Sequence, residues 1–130
     1  MAAGYYYHKY LNLPFEVAIS RVTDELQKEG FGVLTEIDIK EKLKEKLNVD
    51  FKKYKVLGAC NPALAYQALQ AEENIGLMLP CNFVVKEGDS GKSEVLAIDP
   101  VASMLAVDNP RLKIIAEEVK EKIGKIIDNL

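Results

Sequence analysis

The chain has 130 residues, 28% of them charged and 48% apolar, with a formal net charge of −3. That length fits one domain, residues 1–130, with a core that needs no disulfide or metal support. The acidic balance gives no general attraction to nucleic acid or anionic lipid, so neither is an expected partner.

Residues 5–11 are aromatic-rich and predict a first strand. Pro14 opens a helix in which Phe15, Ala18, Ile19, Val22 and Leu26 recur at helical spacing, and Gly30 follows its end. Residues 31–37 predict a second strand. Asp38 and Glu41 have capping-box spacing and start a short helix with Ile39, Leu43 and Leu47 inward. Residues 54–60 predict a third strand. Asn61-Pro62 then starts a third helix, because Asn caps free N–H groups and Pro loses nothing at the first helical position. Residues 75–86 read as one long strand with a bulge or an edge at Pro80. Gly88–Gly91 turn the chain into a fifth strand over 92–98. Asp99-Pro100 starts a brief helix. Asn109-Pro110 starts the last one, with an apolar stripe of Leu112, Ile115, Ala116, Val119, Ile123, Ile126 and Ile127. The late hairpin breaks the strand–helix alternation, which favours an α+β fold. The third and fourth strands, joined by one helix, are expected to run parallel.

The segments GFGVLTEID at 30–38, LGACNP at 57–62 and IGLMLPCN at 75–82, with Asp99-Pro100, resemble DUF302, a family of domains of unknown function. The resemblance runs over nearly the whole chain. It implies a curved, mixed but mainly antiparallel sheet of about five strands with helices packed on one face, similar in topology to the TATA-binding protein. It implies no DNA binding, since function lives in the site and not the fold. It brings no activity, cofactor or substrate.

Cys60, Asn61, Cys81 and Asn82, with Glu36 nearby, are the candidate binding or thiol site. Cys60 ends a strand just before a capped helix, where the helix dipole would favour a thiolate. The plainer reading makes both cysteines small buried apolar residues. There is no CxxC motif, and two cysteines with the single His8 are too few for a structural zinc site, so no metal or cofactor is expected. Asp38 reads as a cap, which weakens any acid–base pairing with Glu36. Gly30 and Gly32 precede a strand and cannot form a phosphate loop. The lysines over 40–55 alternate with acids, as a solvated helix face does.

No apolar run reaches the length of a membrane span. MAAGYYYHKYL lacks the basic-then-apolar profile of a signal peptide, so a cytoplasmic location with free thiols is expected. The unpaired sheet edges and Tyr5-Tyr6-Tyr7 point to a homodimer. Three readings stand together: a small-molecule or partner-binding module with a pocket near Cys60/Cys81, a thiol-dependent redox or sulfur-handling protein, and a structural interaction domain.

Overall fold

The computed structural model describes residues 4–130. Met1–Ala3, part of the segment read above for a leader, lie outside the described residues. Five strands, β1 (Tyr6–Leu11), β2 (Gly32–Asp38), β3 (Tyr54–Cys60), β4 (Cys81–Glu87) and β5 (Ser93–Ile98), form one sheet in the order β1-β5-β4-β3-β2. Among the described residues five α-helices accompany them: α1 (Phe15–Lys28), α2 (Ile39–Leu47), α3 (Pro62–Ala71), α4 (Pro100–Ser103) and α5 (Pro110–Asp128). This is the α+β fold expected.

All four pairings of the sheet are antiparallel, so the mixed sheet gives way to a purely antiparallel one. The expected parallel arrangement of β3 and β4 is the main correction. They are antiparallel neighbours, with Ala59 opposite Cys81 and Gly58 opposite Asn82. The cause is a second leg in the connection. Glu73–Met78 form a 3₁₀ turn rather than strand, so α3 and this turn leave and return to the same end of the sheet. A short apolar run such as 75–79 cannot be assigned from periodicity alone. Here Ile75 is buried against Ala68 and Leu112, while Leu77 is almost fully exposed. Pro80, which has no N–H to give a ladder, precedes β4 instead of bulging it.

Alternation along the strands sorts the two faces. Leu57, Ala59, Phe83, Val85, Val95 and Ala97 point to one side and are buried against Val22 and Leu26 of α1 and Ile123, Ile126 and Ile127 of α5. On the other side lie Tyr6, His8, Tyr10, Val84, Lys86, Glu94 and Leu96, half-buried or exposed. Helix α2 departs from expectation because it buries none of its residues. Ile39 and Leu43 are only half-covered, and Leu47 is exposed. Its order comes from its ends: Asp38 Oδ1 accepts from the Glu41 N–H at 3.0 Å, and Asn48 closes the helix in the left-handed region.

Candidate functional site

The end of α1 sets one wall of the site. Gly30 takes φ +81°, its N–H donates to the Gln27 carbonyl, and the Phe31 N–H donates to that of Leu26. That is a Schellman close, and it turns Phe31 inward. Asn61 ties this close to α3. Its Oδ1 accepts from the Leu64 N–H at 3.2 Å, and its Nδ2 donates to the Glu29 carbonyl at 3.3 Å. A Cβ on Gly30 would lie 3.1 Å from that Nδ2, so glycine suits both the dihedral and the space.

Beside this stitch lies a cavity of about 30 Å³ between the ends of β3 and β4 and helices α3, α4 and α5. Cys60, Asn61 and Cys81 line it, with Leu79, Pro80 and Met104 among the apolar groups around them. The void has room for a small group, since about 10–15 Å³ of cavity is enough to hold one water. Register brings the backbones of the two cysteines near each other. Cys81 faces Ala59 across the ladder, one residue from Cys60, which places the two Cα atoms roughly 6 Å apart from strand spacing and rise. Alternation turns the two side chains to opposite faces of the sheet, so this separation does not by itself make a disulfide pair. Both cysteines are free.

For Cys60 the dominant influence is burial rather than the helix start. Burial pushes the Cys60 thiol above its ordinary value. Burial, and then the neighbouring Cys60, push Cys81 up to about 11. The start of α3 has little to offer a thiolate: Pro62 has no N–H, and Asn61 already holds that of Leu64. Both sulfurs are therefore neutral thiols at pH 7, soft and poorly nucleophilic.

A family model described as Domain of unknown function DUF302 matches residues 7–130. The chain belongs to the DUF302 family. A crystal structure of an uncharacterized conserved DUF302 protein from Bacillus stearothermophilus is similar to it at 30% identity and a TM-score of 0.89. The match covers 97% of this chain and 98% of that one. No curated protein matches the chain.

Within this DUF302 fold the five candidate residues separate. Cys60, Asn61 and Cys81 share the cavity, whereas Glu36 and Asn82 do not line it. Glu36 is exposed on edge strand β2, opposite Leu57, with its carboxylate 3.8 Å from Lys55 Nζ. Asn82 is exposed on the face away from α1 and α5, because it follows Cys81 by one residue and alternation turns it over. Nor does His8 approach the thiols. Its Nδ1 lies 3.0 Å from Glu94 Oε2, and Lys86 Nζ lies 3.2 Å from Glu94 Oε1. That cluster crosses β1, β5 and β4, so only the register reveals it.

Sequence reasoning missed Met104, which follows α4 and reaches the cavity because Asp99 fixes α4 there. Asp99 is buried, its Oδ1 accepts from the N–H groups of Val101 and Ala102, and its Oδ2 meets Lys120 Nζ of α5 at 3.0 Å. The Asp99-Pro100 pair was the available signal for the helix start, but nothing local said which way the helix would point. Among the described residues no helix is long and apolar enough to cross a membrane.

Proposed function

We propose that this DUF302 protein is a binding module, not a thiol enzyme, and that its site is the Cys60/Cys81 cavity. The observation that carries this reading is the apolar void that both Cys60 and Cys81 line between the ends of β3 and β4 and the helices. An apolar pocket with few polar groups is the usual form of a small-ligand site. At about 30 Å³ it takes a small ligand or one arm of a larger one.

The competing reading, redox or sulfur handling, draws on the short Cα separation. Thiol kinetics separate the two. Reaction of the reduced protein with a thiol reagent should be slow at pH 7 and should accelerate only above about pH 9, as the buried thiols ionise. A rapid reaction below pH 8 would instead mark an activated cysteine and favour the redox reading.

We also propose that the module works as a homodimer through the sheet face away from α1 and α5. Tyr6, His8 and Tyr10 form an edge-to-face aromatic row there, with ring centroids 5.7 Å apart at each step. Val84 and Leu96 extend the apolar surface. Glu94 is already paired with His8 and Lys86 of its own chain, so a second copy can cover the face without opposing an uncompensated charge. Light scattering at tens of micromolar should give twice the chain mass of 14.5 kDa. A mass equal to one chain would defeat the assembly while leaving the cavity reading intact.

A further inference from the structure

The connection from β3 to β4 leaves apolar side chains in solvent. Its 3₁₀ turn, Glu73–Met78, packs Ile75 against Ala68 and Leu112, and Leu77 then points outward, 92% exposed. Leu105, in the segment between α4 and α5, is 78% exposed. A depression of about 330 Å³ lies between the turn and that segment. The turn lines it with Ile75, Leu77 and Met78, and the segment with Ala106 and Val107. A second depression, of about 540 Å³, takes in Leu105 and shares Val107 and Asp108 with the first, so the two adjoin.

The charged groups lining the first depression are Glu72 and Asp108, both acids, and Glu73 follows Glu72 at the surface. None of the three makes an ion pair with a described lysine or arginine. Lys113 is the cation of the second depression. We propose that this double depression docks a cationic amphipathic helix of a partner protein. The surface is separate from the open sheet face, and it lies outside the Cys60/Cys81 cavity, with which the second depression shares Met104 and Leu112.

Two adjoining apolar hollows suit the successive anchors that a helix presents along one face. Such a face covers Leu77 and Leu105 together, and a contiguous apolar patch is what sets an interaction site apart from scattered surface leucines. Charge then chooses among occupants. Glu72, Glu73 and Asp108 attract lysine or arginine placed beside the anchors and steer the encounter. An anionic lipid surface or an acidic segment would meet the same three groups as like charges. A second copy docked by two-fold symmetry would set these acids against their own counterparts. Lys113 lines the second depression and not the first, so the cations of the partner lie over the turn.

The test titrates the protein with a synthetic amphipathic helix of leucine and lysine, followed by its methyl and amide resonances. The expected result is saturable binding of one helix per chain, with shifts gathered on Leu77, Met78, Leu105 and Val107. Leu77→Ser and Leu105→Ser change side chains that the core does not use, so both variants stay folded. Each should weaken binding at least roughly 10-fold, the loss expected of a central anchor. Glu72→Gln combined with Asp108→Asn should weaken it roughly 3–10-fold and flatten its dependence on salt, as the loss of rim charges does. The same helix with glutamate in place of lysine should bind at least roughly 10-fold more weakly, because like charges then meet. No saturation, equal binding of the glutamate helix, shifts centred on the open sheet face, or an affinity unchanged in either leucine variant would overturn the proposal. So would a chain mass by light scattering that falls on Leu77→Ser, which assigns the surface to a second copy, or sedimentation with phosphatidylserine vesicles that Leu77→Ser abolishes, which assigns it to lipid.

Discussion

Replacing Ile123 by Ala should destabilise the protein by about 2–5 kcal/mol, the usual cost of a large-to-small change in a packed core. Ile123 is fully buried and sits with Ile126 and Ile127 in the core cluster that includes Phe83 and Val85 of the central strand β4. Removing its outer carbons leaves a void that the sheet on one side and the helix backbone on the other cannot close. The melting temperature should fall by on the order of 10 °C for a domain of this size. Ile115, on the same stripe, is only half-buried and lines the cavity by the thiols. Ile115→Ala should cost less, about 1–2 kcal/mol, because less apolar area leaves water in folding there. Thermal denaturation of the two variants side by side checks both statements. Equal losses would mean that the cavity wall is packed as tightly as the core.

Alkaline pH should weaken the fold through Cys81. Its thiol titrates near 9.0 when unperturbed and is held at about 11 in the folded chain. The folded state therefore binds this proton more tightly than the unfolded state does. Stability from that preference is complete below about pH 9, declines as pH rises, and is lost by about pH 11. The loss is of the order of 2–3 kcal/mol, since each tenfold difference in proton affinity is worth about 1.4 kcal/mol. Cys81→Ala removes the titrating group, so its stability should be flatter over that range. Urea denaturation from pH 8 to 11 measures the difference. A wild-type protein whose unfolding free energy tracks that of Cys81→Ala throughout would show that the thiol is more hydrated than its place in the wall implies.

Much of the fold is written locally. Asn61, Asp99 and Asn109 each cap the helix that their Asn-Pro or Asp-Pro pair announces. The stripe on α5 appears with Leu112, Ala116, Ile123, Ile126 and Ile127 buried, as its spacing requires. What local pattern left open is direction. Ile75 to Leu79 satisfies both a strand and a turn, and the choice rests on whether Ile75 finds Ala68 and Leu112, which is a tertiary matter. That choice decides whether β4 runs with or against β3. The two cysteines reach the same end of the sheet because the antiparallel register sets Cys81 beside Ala59, although alternation turns Cys60 to the other face. The same register turns Asn82 away, so two adjacent residues of one motif serve opposite faces. Glu36 does not join the site because β2 is the far edge strand, where its exposed carboxylate lies 3.8 Å from Lys55 Nζ of β3.

The cavity is the centre of the account, and xenon tests it most directly, being inert and a ligand of dry apolar cavities. In the reduced protein under increasing xenon pressure, the methyl resonances of Ala59, Leu64 and Met104, all on the cavity wall, should shift together and saturate. Ala65→Leu, which places a larger side chain on that wall, should abolish the response while the protein stays folded. Shifts that stay linear in pressure and spread over the surface, or a saturable response undiminished in Ala65→Leu, would contradict a ligand-admitting site at Cys60 and Cys81.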